Sequence, residues 1–170
     1  MTIYKLAVTR FDNKTYMENK EWRRLNDFTG TIYGSPIRIS ESILPETVLF
    51  VLEMNNSINQ IMGIGMIKCG TGELIIDRKK CRIYNDNNYN RFIYQSKYRI
   101  DFSDEYLPMR FHKKIVLLEN LLFKGYRHSK RGQGINILPL WITSEIKSLT
   151  LIDDICDILQ RIATRSSTTT

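Results

Sequence analysis

The spacing of the apolar residues changes once along this chain, at Pro108, and that change limits the folds available to it. Before Pro108 the apolar side chains tend to alternate, as in "IYKLAVTRF" and in the two runs of "TVLFVLEMNNSINQIMGIGMIKC", which is typical of strands. After Pro108 they recur with a period near 3.6, at Phe111, Ile115, Leu118 and Leu122, which is typical of a helix. The pattern predicts an α+β fold, with about five strands in a mixed or antiparallel sheet flanked by helices.

The local signals predict where the other elements lie. We expect a short helix from about Thr15 to Leu25, a strand or turn in "TGTIYGSP", and strands in "CRIYND" and "NRFIYQSKYRIDF" separated by an Asn-rich loop. A last helix is predicted to begin near Thr150, where "TLID" resembles a capping box. Gly63 and Gly65 are two residues apart and share one strand face. That face would admit another backbone or a flat ligand.

The length and the absence of linkers or repeats predict one domain. With 170 residues the chain can bury a hydrophobic core that needs no disulfides or bound metal ions for its stability. We expect the domain to span residues 1–164, followed by a disordered tail over 165–170. Three widely spaced cysteines favour neither a disulfide framework nor a metal site. No run is apolar enough for a signal peptide or a membrane span. We therefore expect an intracellular protein, cytoplasmic or nuclear, with no membrane partner and no cofactor.

The charge of the chain favours an anionic partner. Lys and Arg together number 25 against 18 acidic residues, a formal net charge of +7, which is typical of proteins that bind nucleic acid or anionic surfaces. On the helix that follows Pro108, four cations fall within about one third of the circumference. They are Arg110, Lys113, Lys114 and Lys124.

The segment "KGYRHSKRGQG" continues this basic helix and carries the strongest functional signal. Gly132 and Gly134 would let backbone N–H groups approach an anion. The segment also supplies side chains that can contact phosphates or base edges, namely Arg127, His128, Lys130, Arg131 and Gln133. A solvated basic loop, with glycines needed only for turning, is the alternative interpretation. The segment matches neither the P-loop nor the Rossmann glycine pattern.

A second basic group, "DRKKCR" at residues 77–82, has two interpretations. On a hairpin it would extend a binding groove. An exposed edge strand protected by lysines would have the same sequence, and this interpretation is favoured.

Catalytic patterns are weak, so a non-enzymatic function is favoured. The two histidines, His112 and His128, have no carboxylate or cysteine at metal-ligand spacing, and no nucleophile motif is present. A nuclease, metal-independent or metal-assisted, with His128 as general base is chemically possible; His128 as one more phosphate donor is the simpler interpretation. A third possibility is a protein-interaction module whose basic surface meets an acidic partner.

The order of the N-terminal elements resembles that of the PUA-like superfamily, especially its EVE and YTH-type branches. The resemblance covers about residues 6–68 and is carried by "LAVTRFDN", "EWRR", "GTIYGSP", "VLFVLEM" and "QIMGIGMI". It implies a small curved sheet of the PUA-like barrel type flanked by helices, with a pocket that accepts a nucleobase, often a modified one. It further implies that four side chains surround this pocket: Thr9, Asn13, Trp22 and Tyr33.

These observations predict a domain that binds DNA or RNA. The base would enter the pocket by stacking and edge hydrogen bonds, while the basic rim holds the flanking phosphates.

Overall fold

A computed structural model describes residues 1–70 and 81–168 of the chain, and its elements confirm the α+β class. Seven strands lie in the described residues: β1 (Tyr4–Phe11), β2 (Thr31–Ser35), β3 (Val48–Asn55), β4 (Gln60–Lys68), β5 (Phe92–Ser96), β6 (Arg99–Asp101) and β7 (Asn136–Ile137). The same residues form four α-helices: α1 (Asn13–Leu25), α2 (Met109–Phe123), α3 (Leu140–Glu145) and α4 (Ser148–Thr168). None of these helices is long and apolar enough to cross a membrane.

The main sheet is mixed, as predicted. Its strand order is β6-β4-β3-β1-β7, while β2 and β5 form a separate antiparallel pair. β1 and β3 run parallel and the other neighbours run antiparallel. Within the described residues, β6 and β7 are the two edges of the main sheet. The observed pairings therefore do not close it into the barrel that the PUA-like resemblance implies.

Both faces of the main sheet are buried, and alternate side chains of each strand pack into two different cores. Leu6 and Val8 of β1 belong to the core under α2, α3 and α4, whereas Ala7 and Phe11 belong to the core under α1 and the β2–β5 pair. Successive residues of a strand point to opposite faces, so a layer of helices covers one face and a mixed layer covers the other. At the carboxyl end of β1 the two layers leave a hollow, described below.

The helix ends differ from the predicted ones for local reasons. α1 begins at Asn13 because the side chain of Asp12 accepts a hydrogen bond from the backbone N–H of Thr15, at 2.7 Å, which satisfies a free donor of the first turn. α4 begins at Ser148 and continues to Thr168. It therefore includes the first four residues of the segment predicted to be a tail.

The run "CRIYND" does not form the predicted strand. Cys81 and Ile83 are buried and Arg82 between them is exposed, so the alternation is real. However, the side-chain oxygen of Asn90 accepts the backbone N–H groups of Ile83 and Tyr84 at 3.0 and 2.9 Å, in place of a partner strand. The basic group at residues 77–82 lies largely outside the described residues.

The glycine face of β4 is filled by the protein itself. A Cβ on Gly63 would lie 2.7 Å from a guanidinium nitrogen of Arg99, and one on Gly65 would lie 2.2 Å from the hydroxyl of Tyr33. The two glycines make room for buried polar side chains of neighbouring strands, and this space is not open to a flat ligand.

Candidate functional site

A cavity of about 230 Å³ lies at the carboxyl end of β1; we call it the β1 cavity. Five stretches of chain meet there: the end of β1 with the first turn of α1, the end of β2 with the residue that follows it, the β3–β4 turn, the segment before β5, and the loop after α2. The lining residues are Thr9, Arg10, Phe11, Asp12, Thr15, Gly34, Pro36, Asn56, Tyr84, Tyr89, Lys130, Gly132, Gln133 and Gly134.

Three aromatic side chains line the β1 cavity. Phe11 and Tyr84 are buried, while Tyr89 is 37% exposed. The rings of Tyr84 and Tyr89 meet edge to face, with their centroids 6.1 Å apart. An aromatic wall of this kind can hold a flat ring by stacking, because every nucleobase presents a π-face.

Tyr84 is held rigidly in this wall. Its hydroxyl oxygen accepts a hydrogen bond from Nδ2 of Asn19 at 3.0 Å, and burial raises its pKa above that of an ordinary tyrosine, so the ring stays neutral at physiological pH. Gly34 permits the packing, because a Cβ there would lie 2.1 Å from the carbonyl oxygen of Tyr89 and 2.8 Å from the ring of Tyr84.

Residues 124–134, which we call the basic loop, contribute Lys130, Gly132, Gln133 and Gly134 to the cavity lining. Gly132 and Gly134 adopt φ values of +118° and +74°, which L side chains rarely adopt. Lys130 and Gln133 line the cavity, and Arg131 between them is exposed. The loop therefore presents a cation and an amide to the same space as the aromatic wall.

Arg10 fixes the position of the basic loop. Its Nε donates to the carbonyl oxygen of Ser129 and its Nη1 donates to Oδ1 of Asn136, both at 2.6 Å. The guanidinium also packs against Gly132, where a Cβ would lie 3.2 Å from it. Burial lowers the pKa of Arg10, but a guanidinium remains charged in proteins.

Two cations, Arg10 and Lys130, and one carboxylate, that of Asp12, line the β1 cavity. Within residues 1–70 and 81–168, none of the ion pairs includes Arg10, Lys130 or Arg131. A partly buried charge is favoured only when it is paired or well hydrated. The β1 cavity therefore holds two cations that pair with no carboxylate in the described parts of the chain.

The other predicted residues of the basic loop are placed differently. The guanidinium of Arg127 lies over the ring of Trp141, 4.6 Å from its centroid, and Lys124 is exposed where α2 ends. His128 is half-buried, and its Nδ1 accepts the backbone N–H of Lys130 at 3.3 Å. Nδ1 of His128 is therefore engaged in a hydrogen bond that helps to hold the loop.

Two of the cations predicted on α2 are neutralised by a carboxylate of α4. Arg110 and Lys114 both bind the carboxylate of Asp154 on α4. Lys113 is exposed on the same helix. With a rise of 1.5 Å per residue, Arg110 lies about 21 Å along the axis from Lys124. The first turns of α2 thus face α4 rather than the cavity.

Only Thr9 of the four predicted pocket residues lines the β1 cavity. Tyr33 is 1% exposed and donates to Oε1 of Glu53 at 2.8 Å, so it belongs to the core. Trp22 packs edge-on against Phe28, with centroids 5.9 Å apart. Asn13 accepts a hydrogen bond from Asn55 at 3.0 Å near the cavity but outside its lining. The structure therefore brings one of the four predicted residues into the lining of this cavity.

Sequence reasoning missed most of the other lining residues, among them Arg10, Phe11, Asn56, Tyr84 and Tyr89. The tyrosines lie in or beside an Asn-rich stretch that has the composition of a loop. Arg10 and Phe11 end a strand whose alternation indicates only burial. Arg10 and its partners Ser129 and Asn136 are more than a hundred residues apart in the chain, so no local pattern reveals the contact.

In the described parts of the chain, no group of three or more His, Cys, Asp and Glu side chains could hold a metal ion. Comparison of the chain with protein-family models, curated proteins and solved structures finds no match.

Proposed function

We propose that this chain is a non-enzymatic nucleic-acid-binding domain that takes one base of a DNA or RNA strand into the β1 cavity. The base, single-stranded or flipped out of a duplex, would stack on Tyr84 or Tyr89. The neighbouring phosphates would lie along Lys130 and Arg131. The protein would act inside the cell, where its net charge of +7 favours polyanionic partners.

One observation carries the proposal: an aromatic wall and two cations that form no ion pair within residues 1–70 and 81–168 border the same cavity. Stacking on an aromatic side chain contributes about 1–3 kcal/mol per base. Each phosphate contact adds affinity that depends on salt. An aromatic wall alone would fit many flat ligands and a basic loop alone would fit many anions, but a nucleotide has both features.

The PUA-like relationship is part of the proposal. The succession of β1, α1, β2 and the β3–β4 hairpin follows the order of elements that carries the resemblance, and the cavity lies where the first strand meets the first helix. The two edge strands of the main sheet do not pair with each other. The closed barrel of that superfamily therefore remains a prediction for this chain.

Binding of labelled single-stranded DNA and RNA to the wild type and to Tyr89→Ala tests the proposal. Tyr89 is partly exposed, so the substitution should leave the fold intact and weaken binding roughly 5- to 150-fold through the loss of stacking. Tyr106→Ala is the matched control, because Tyr106 is 76% exposed and lies outside the cavity; its affinity should equal that of the wild type. Equal affinities for wild type and Tyr89→Ala would contradict the proposal.

The same oligonucleotides separate binding from catalysis. After incubation with the protein, with and without divalent metal ions, we expect them to remain intact. Cleavage that is lost in His128→Ala would instead support a nuclease.

A further inference from the structure

The basic loop begins with a tight turn that holds a tyrosine out in solvent. The backbone N–H of His128 donates to the carbonyl oxygen of Gly125 at 3.3 Å, so Tyr126 and Arg127 are the two central residues of a β-turn. Tyr126 is 95% exposed and is not part of the lining of the β1 cavity. Its ring is therefore accessible to a ligand outside the cavity, on a backbone of defined conformation.

The second central residue of the turn is a cation whose position is fixed by an aromatic ring. The guanidinium of Arg127 lies over the ring of Trp141, 4.6 Å from its centroid, and a cation is attracted to the face of an indole. Arg127 is exposed and takes part in none of the ion pairs among the described residues. Its charge is thus positioned by an uncharged ring and is not neutralised by a carboxylate there.

The chain around this turn contains no acidic residue. Between Glu119 and Glu145 the sequence has no Asp or Glu, and it carries four cations there: Lys124, Arg127, Lys130 and Arg131. A stretch of one charge sign attracts a polyanion. An exposed aromatic ring in a basic segment is the combination by which many proteins bind single-stranded nucleic acid.

A second exposed tyrosine has the opposite charge environment. Tyr106 is 76% exposed, and the guanidinium of Arg165 lies over its ring at 4.8 Å from the centroid. However, the two residues before it in the chain are Asp104 and Glu105, whose charges repel phosphates. Exposure alone therefore does not single out Tyr126, whereas exposure within a basic segment does.

The turn lies within reach of a strand that is bound in the β1 cavity. Tyr126 is four residues before Lys130, which lines the cavity, and four residues of extended chain span at most about 14 Å. A stacked strand advances about 3.4 Å per nucleotide. A segment of about four nucleotides therefore covers the distance from the cavity to the turn.

We propose that Tyr126 and Arg127 form a second nucleotide-binding site on the outside of the basic loop. This inference rests on the proposed function, because the same strand has one base in the β1 cavity. A base a few nucleotides away stacks on Tyr126, and a phosphate beside it binds Arg127. The ligand is then a single strand with two unpaired bases, since a duplex with one flipped base has no second base free to stack.

Oligonucleotides of two lengths test the inference. A dinucleotide can fill only the β1 cavity, whereas a single strand of about 12 nucleotides, within the site sizes of single-strand-binding folds, covers both sites. For the longer strand, Tyr126→Ala should weaken binding roughly 5- to 150-fold through lost stacking, and Tyr126→Phe, which keeps the ring, should bind within about twofold of the wild type. For the dinucleotide, measured at low salt where phosphate contacts are strongest, Tyr126→Ala and the wild type should have equal affinities.

The salt dependence of binding to the longer strand separates lost stacking from a displaced loop. Tyr126→Ala removes no charge, so its slope of log affinity against log salt should equal that of the wild type. Arg127→Ala removes one phosphate contact and should lower the slope by about 0.7. Tyr106→Ala is the control for an exposed tyrosine outside both sites and should change neither affinity nor slope. Thermal unfolding of each variant checks that it is folded.

The outcomes distinguish this inference from the proposed function. The second site is overturned, and the β1 cavity retained, if Tyr89→Ala weakens binding but Tyr126→Ala binds the longer strand as tightly as the wild type. It is also overturned if Tyr126→Ala weakens binding to both lengths equally or has a reduced slope, and an unchanged slope in Arg127→Ala would remove the phosphate contact from it. A wild type that binds no oligonucleotide would overturn the proposed function and this inference with it.

Discussion

The first turns of α2 and the basic loop look equally basic in the sequence, yet their cations have opposite surroundings in the structure. Arg110 and Lys114 share the carboxylate of Asp154. Lys130 and Arg131 take part in no ion pair within the described residues and lie beside an aromatic cavity. The difference teaches that the density of positive charge does not identify a binding surface, because a carboxylate from a distant helix can neutralise it.

Arg99 is the extreme case of a neutralised cation. Its side chain is 2% exposed, and its Nε and Nη2 bind both carboxylate oxygens of Glu53, at 2.9 and 2.7 Å. Its Nη1 donates to Asp101 at 2.8 Å. A buried guanidinium that is paired with carboxylates in this way stabilises the core. Its N–H donors are already bonded and are not free to bind a ligand. Arg10, by contrast, donates only to neutral oxygens in the contacts described.

The largest predicted effect concerns this matched arginine. Glu53→Gln removes the charge that compensates Arg99, and breaking a buried pair destabilises a protein by about 3–5 kcal/mol. We expect the free energy of unfolding in urea to fall by about 3 kcal/mol. Glu46→Gln is the control, because its partner Lys68 and Glu46 itself are about half exposed; it should cost less than about 1 kcal/mol. Similar losses for both variants would contradict the account.

How far the sequence predicts this molecule depends on how local each signal is. The apolar stripe of α2 and the hairpin of β3 and β4 were predicted, because periodicity reports burial along one element. The partner of each charge could not be predicted, since Asp154 lies 40 residues from Lys114. The strand predicted from Cys81 failed for a different reason: the backbone N–H of Ile83 bonds to a nearby side chain, that of Asn90, and alternation reports burial but not the hydrogen-bond partner.

The second prediction tests the geometry of the basic loop. In Gly134→Ala the new methyl group would lie 2.8 Å from Cγ1 of Ile37 and 2.9 Å from Oγ of Ser35, at a φ of +74°. We expect stability to fall by about 2 kcal/mol from backbone strain and crowding, and oligonucleotide affinity to fall because the loop is displaced.

Gly125→Ala is its matched control. Gly125 has a φ of +78°, but a Cβ there meets no atom within 4 Å. The free energy of unfolding of this variant should fall by only about 1 kcal/mol, because alanine is strained in the left-handed backbone conformation. Its affinity for the oligonucleotide should be unchanged. If Gly134→Ala binds as tightly as Gly125→Ala, the loop conformation does not matter for binding.

The smallest predicted effect concerns the neutralised cations of α2. Asp154→Asn removes the carboxylate that binds Arg110 and Lys114. The side chain of Asp154 is 11% exposed, but those of Arg110 and Lys114 are 65% and 30% exposed, so water can solvate both cations in the variant and we expect a stability loss of about 1 kcal/mol by thermal or urea unfolding. Oligonucleotide affinity should change by less than about twofold, because Arg110 and Lys114 do not line the cavity and salt screens their charges at a distance. A large rise in affinity would show that Asp154 conceals part of the binding surface.

The most direct test compares the salt dependence of oligonucleotide binding for two double variants, Lys130→Ala with Arg131→Ala and Arg110→Ala with Lys114→Ala. Each removes two cations that look equivalent in the sequence. For a single strand, each lost phosphate contact lowers the slope of log affinity against log salt by about 0.7. We predict a slope reduced by about 1.4 for the loop variant and unchanged for the helix variant. An unchanged slope in the loop variant, or a reduced slope in the helix variant, would contradict the assignment of the β1 cavity and its loop as the nucleic-acid site.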